Sequence, residues 1–125
     1  MVSITAFYGG LLGLLLLVLT ARVILYRRKN SIAFGDADQP QMTALMRAHG
    51  NFTETVPMAL ILMGLAELNG ASAVLLHITG AALLAGRLLH GFGVPAKTTP
   101  LRWRTYGMFL TLVAMLLAAL LALLH

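Results

Sequence analysis

Polar residues interrupt this chain in only a few places. Four apolar runs, Val2 to Tyr26, Met42 to Ala66, Ala71 to Leu89 and Tyr106 to Leu124, are separated by a basic segment, an Asn69-Gly70 turn signal, and a connection carrying Gly and Pro. Leu, Ala, Met and Gly dominate the runs and the period-two alternation of a half-buried strand is absent, so each run predicts a helix. Each is close to or above the roughly 18 to 20 residues that cross about 30 Å of hydrocarbon. The pattern predicts an all-α integral membrane protein, a bundle of four transmembrane helices at about 2–26, 41–68, 71–93 and 101–124. A single domain over residues 1–125 leaves no room for a separate soluble module.

Composition agrees: of 125 residues, 59% are hydrophobic and 10% charged, against about 45 to 50% apolar and 25% charged in soluble domains. The first run is expected to stay in the mature protein. It lacks a basic leader, exceeds the roughly 7 to 15 residues of a signal-peptide core, and is followed by Arg27-Arg28-Lys29. Cysteine is absent, so any thiol chemistry has to come from a ligand. The net charge of +5 is concentrated near the first and third connections, and the positive-inside rule puts those on the cytoplasmic side and both termini on the periplasmic side. This distribution is an orientation signal. It does not describe a nucleic-acid surface.

Against that apolar background, Arg47-Ala48-His49-Gly50-Asn51-Phe52-Thr53-Glu54 stands out. At about 100° per residue, Arg47, Asn51 and Glu54 fall within roughly 60° of one another, while His49 points to the far side. An ionisable group inside a span costs at least about 2.5 to 3.5 kcal/mol on insertion scales. Interhelical hydrogen bonds in membranes return only about 0.6 kcal/mol on average. A ligand site therefore explains the patch better than structural glue. Pro57 frees the carbonyl of Thr53 just beyond Glu54 and predicts a kink there.

Further cations and donors belong to the same half of the bundle. Arg22, Arg27 and Arg28 end the first helix, Arg87 and His90 share a face of the third at i, i+3, and Arg102, Arg104 and Tyr106 open the fourth. Arg22 can snorkel to the interface or turn inward. Gly9 and Gly13 form a GxxxG pair suited to close helix approach. Several cations around one carboxylate predict a pocket for an anionic ligand with a polar end, open to the cytoplasm. No metal constellation is visible in the spacing of the four histidines.

Arg47-Ala48-His49-Gly50-Asn51-Phe52-x-Glu54-x-x-Pro57, the preceding Arg27-Arg28-Lys29, the Arg87-x-x-His90 pair and Arg102 at the fourth helix resemble the MAPEG family, the membrane-associated proteins in eicosanoid and glutathione metabolism, and especially its small bacterial branch. The resemblance covers essentially the whole chain. It implies a left-handed four-helix bundle assembled as a homotrimer in the bacterial inner membrane, with glutathione as co-substrate bound near the cytoplasmic side between protomers.

Carried over residue by residue, the resemblance gives Arg47, Asn51 and Glu54 the glutathione backbone, and Arg22, Arg27 or Arg28 its carboxylates. Arg87 and His90 would line the site. An arginine early in the fourth helix, Arg102 with Arg104 as its rival, would stabilise the thiolate for attack on a lipophilic electrophile or hydroperoxide entering from the bilayer. Active eicosanoid-type members carry a tyrosine four residues after the histidine position, where this chain has Val94; Tyr106 is the residue available to compensate. Two other readings remain open: a non-catalytic glutathione- or lipid-binding accessory protein of the same fold, and a small proton-coupled transporter centred on Glu54.

Overall fold

The computed structural model describes residues 1–93 and 101–125. Val94, the departure noted above, lies outside the described residues. Four helices follow in order: α1 (Ser3–Asn30), α2 (Pro40–Leu68), α3 (Ala73–Phe92) and α4 (Leu101–Leu124). α2 and α3 pack on each other and each touches both outer helices, while among the described residues α1 and α4 make no direct pairing. The outer two therefore flank the central pair from opposite sides.

Buried positions step by four and three residues: Tyr8, Leu12, Leu15 and Leu19 on α1, and Gly107, Thr111, Ala114, Ala118 and Leu121 on α4. That near-3.5 period is the seam of left-handed helix packing. The opposite faces expose large apolar side chains such as Leu14, Leu17, Phe109 and Leu116, as a bundle solvated by lipid requires. α1, α3 and α4 are each long and apolar enough to cross a membrane. The polar stretch from Arg47 to Thr55 keeps α2 out of that class by composition, so three spans rather than four are evident from apolarity alone. Yet α2 has 29 residues and packs along the other three, which fits a membrane helical bundle.

α1 runs four residues past the end of its apolar stretch. Arg27, Arg28 and Lys29 occupy its last turn, where cations favour the helix dipole. It stops where Ser31 turns left-handed at φ 54° and the Ile32 amide bonds back to the Arg27 carbonyl at 2.9 Å, a Schellman-type closure. In the connection, the Thr43 hydroxyl donates to Asp36 at 2.7 Å and holds that carboxyl below its usual range. α2 continues as helix through Pro57.

At the opposite end, Glu67 near the close of α2 accepts the amides of Ile4 and Thr5, both at 2.8 Å. A carboxylate from one helix thus caps the N-terminus of another, where no local side chain does so and where negative charge is favoured. Tyr8 lies across Gly80, its hydroxyl 3.2 Å from His77 Nδ1.

The closest helix approach is not at the GxxxG pair of α1. A Cβ on Gly13 would meet nothing within 4 Å, and one on Gly9 would make ordinary contact with Leu60 at 3.7 Å. Close approach occurs between α3 and α4, where a Cβ on Gly86 would lie 2.9 Å from the Gly107 carbonyl and from Thr111 N and Oγ1. Backbone against backbone at this crossing sets the spacing of the polar groups beside it.

Candidate functional site

Arg87 is fully buried at 0% exposure, and His90 is at 1%. The side chain of Arg87 points from α3 into the space between α2 and α4. Its Nη1 donates to Asn51 Oδ1 at 2.7 Å, and more distantly to Thr55 Oγ1 at 3.3 Å and Thr111 Oγ1 at 3.4 Å. Its Nη2 lies 2.8 Å from His90 Nδ1, and Phe52 places its ring 5.9 Å from the guanidinium carbon.

The two threonine partners are themselves anchored. Thr55 donates to the Asn51 carbonyl and Thr111 to the Gly107 carbonyl, both at 2.8 Å, which turns their oxygens toward Arg87 as acceptors. Among the described residues no carboxylate reaches this guanidinium, and its Nε is a buried donor without a partner. A buried charge held only by neutral dipoles is costly. Hydrogen bonds to charged groups, about 1.5 to 3 kcal/mol each, offset part of that cost.

Beside this network opens a cleft of about 310 Å³ lined by Asn51 of α2, His90 of α3, and Leu101, Arg104, Thr105 and Met108 of α4. One turn along α2, Arg47 pairs with Glu54 at 3.4 Å, with both side chains about half exposed. The pair sits over Gly50, whose missing Cβ would lie 3.3 Å from Arg47 Nη1. The arrangement offers a cationic cleft, walled by an amide and an imidazole, with an ion pair at its outer side.

The sequence-predicted residues divide between this cleft and other places. Asn51, His90 and Arg104 line it, Arg87 stands behind it, and Arg47 and Glu54 flank it. Arg22 lies on a different side of the bundle. It donates to the Gly91 carbonyl at 2.7 Å, stacks over Phe92 at 5.4 Å, and lines a second cleft with Leu25, Tyr26, Lys29, Gln41 and Leu45.

Arg27 bonds the Gly35 carbonyl at 2.8 Å, and Arg28 is exposed at the end of α1. Arg102 is exposed and stacks over Trp103 at 5.3 Å. Tyr106 is 54% exposed and meets Trp103 edge-on at 6.2 Å. Neither lines the cleft of the single protomer. Trp103 closes an apolar cleft of about 250 Å³ with Leu88, Leu89, Phe92 and Gly93 on another face of α3.

Thr55, Thr105 and Thr111 were not singled out from the sequence. The available signal was spacing: Thr55 follows Asn51 by four residues and Thr111 follows Gly107 by four, so each shares a face with a group already suspect or small. Among the described residues, no group of three or more His, Asp or Glu is placed to hold a metal ion.

Comparison with known proteins covers nearly the whole chain. The family model of the MAPEG family matches residues 5–124. The inner membrane protein YecN of Escherichia coli strain K12 is 38% identical over 117 residues, covering 94% of this chain and 88% of that protein. YecN of E. coli O6:H1 matches to the same extent.

Proposed function

The chain belongs to the MAPEG family, and from that premise we propose that it is a glutathione-dependent transferase or peroxidase of the inner membrane. The observation that carries the reading is the cleft where Asn51, His90 and Arg104 meet at the crossing of α2, α3 and α4. A cation, an amide and an imidazole around one small volume suit an anionic peptide, and because Arg104 rather than Arg102 lines that volume, Arg104 is the cation we assign to its sulfur.

A free cysteine thiol has a pKa of about 8.5 and is mostly protonated at neutral pH. Lowering it to about 7 leaves half the thiol ionised and requires about 2 kcal/mol of preferential stabilisation of the thiolate. One arginine in a low-dielectric site supplies an effect of that size. The thiolate lone pair then forms a C–S bond with an electrophilic carbon, whose displaced electrons leave with the departing group or take up a proton. With a hydroperoxide it attacks oxygen as the O–O bond breaks. The released alkoxide takes a proton, and a second glutathione displaces hydroxide from the sulfenic sulfur to leave the disulfide. Arg104 holds the negative charge that develops.

Arg47 and Glu54 complement the peptide's charged ends, the carboxylate and the γ-glutamyl ammonium. Their half-exposed face of α2 is where the neighbouring protomer of a homotrimer would cover the site. Arg102, with Trp103 and the apolar cleft beside it, suits the lipophilic substrate's side of the α3/α4 contact. The basic ends of α1, α3 and α4 favour a cytoplasmic position for this region and a periplasmic one for both termini. Glu54 is engaged by Arg47 on the outer side of α2 and does not line the cleft, which weighs against a proton-coupled transporter.

Ultraviolet difference absorbance of the detergent-solubilised protein titrated with glutathione tests the reading. A saturable thiolate band lost in Arg104→Ala and kept in Arg102→Ala is the expected result. Loss in Arg102→Ala alone would move the sulfur to the Trp103 side. Calorimetric binding without a band would make the protein a non-catalytic glutathione binder.

A further inference from the structure

Asn51 and His90 are chemically ambivalent: an amide and a neutral imidazole each offer one donor end and one acceptor end. A guanidinium offers donors only. Arg87 Nη1 at 2.7 Å from Asn51 Oδ1 and Nη2 at 2.8 Å from His90 Nδ1 therefore remove the ambiguity at both residues. The amide oxygen and Nδ1 must be the acceptors. The Asn51 NH2 and the His90 Nε2–H are then the ends left to face away from Arg87, and both residues line the cleft with Arg104.

We infer that Arg87 is a positioning residue that fixes the polarity of the cleft, making Asn51 and His90 donors and the site a receptor for an anionic group that only accepts. A thiolate, sulfonate or carboxylate qualifies; a neutral thioether does not. Thr55 and Thr111 keep the guanidinium in register from opposite sides, because their hydroxyl protons are committed to the Asn51 and Gly107 carbonyls. The absence of any carboxylate on Arg87 among the described residues belongs to the same design. A carboxylate there would quench the positive field, and one at position 51 would also present an acceptor to the ligand.

The inference rests on the reading that the cleft holds the ligand's anionic sulfur, but its core is testable without ligand. Ring ¹⁵N shifts of histidine-labelled protein in detergent, with the His90 signal assigned through His90→Gln, report the tautomer directly. Wild type is expected to show His90 as a single neutral Nε2–H form, retained in Arg87→Lys and mixed in Arg87→Met. An Nδ1–H form or an imidazolium in wild type overturns the inference.

The second measurement is calorimetric binding of glutathione sulfonate, whose anionic sulfur group stands in for the thiolate, against S-methylglutathione. Wild type should prefer the sulfonate by about tenfold or more, the worth of one charge-assisted hydrogen bond. Asn51→Asp should abolish that preference while thermal stability is kept or raised, since aspartate is a better partner for Arg87 than asparagine. A merely structural Arg87 predicts the opposite, an undiminished preference in that stabilised variant, and that result also overturns the inference. If Arg87→Met does not fold, the wild-type tautomer and Asn51→Asp decide. An Nε2–H tautomer with sulfonate preference but no thiolate band would sink the catalytic reading and leave this one standing; a thiolate band with an Nδ1–H histidine would do the reverse.

Discussion

Gly107→Ala should separate α3 from α4 and weaken both the fold and the site. A Cβ at this position would lie 2.6 Å from the Gly86 carbonyl oxygen and 2.9 Å from the Cα of His90, and closer still to the His90 amide nitrogen. Ordinary contact begins at 3.4 Å, so the Gly86 carbonyl alone must retreat by about 0.8 Å, the difference between 3.4 and 2.6 Å. All three obstructing atoms are backbone or Cα, and no side-chain rotation relieves them.

Overpacking that forces backbone shifts costs about 1 to 3 kcal/mol, and backbone-only obstruction belongs at the upper end. The helix-propensity gain of Gly→Ala returns about 1 kcal/mol, which leaves a net loss near 2 kcal/mol. Gly13→Ala is the matched control, since nothing lies within 4 Å of its Cβ and only the propensity gain of up to about 1 kcal/mol applies.

Thermal unfolding of the two variants in the same detergent should therefore differ by about 3 kcal/mol, the sum of those estimates. Because the shift moves His90 relative to Arg104, the thiolate band with glutathione should also weaken in Gly107→Ala, as displacements near 1 Å can cost about 100-fold in rate. A Gly107→Ala protein as stable as Gly13→Ala would refute the close-approach account of the α3/α4 pair.

Two further outcomes follow from the same geometry. Glu67→Ala removes the acceptor for the Ile4 and Thr5 amides and should cost about 1 to 2 kcal/mol, the usual worth of a helix cap. Hydrogen exchange at those two amides should accelerate selectively, and unchanged protection would show that water caps α1 equally well. Arg47→Ala and Glu54→Gln break an ion pair that is about half exposed, so stability should change by less than about 1 kcal/mol. Glutathione affinity should drop by about tenfold or more in each, read by calorimetry, if the pair holds the peptide's charged ends. Unchanged affinity in both would remove them from the binding site.

The apolar runs determined helix number and order because a backbone in lipid has to satisfy its own hydrogen bonds, and a long run of Leu, Ala and Met has no other way to do so. The spacing of Arg47, Asn51 and Glu54 likewise puts them on one face, since 3.6 residues per turn is a local property. Even the pairing of Arg87 with His90 is an i, i+3 relation.

Which cations share a cleft was not legible, because that depends on contacts between helices far apart in sequence. Arg22, Arg102 and Arg104 read alike as arginines near a span's end. The crossing at Gly86 and Gly107 turned Arg104 into the cleft with Asn51 and His90, left Arg102 on Trp103, and sent Arg22 to the end of α3. The helical period assigns a side chain to a face of its own helix; only the packing of neighbouring helices decides what that face meets.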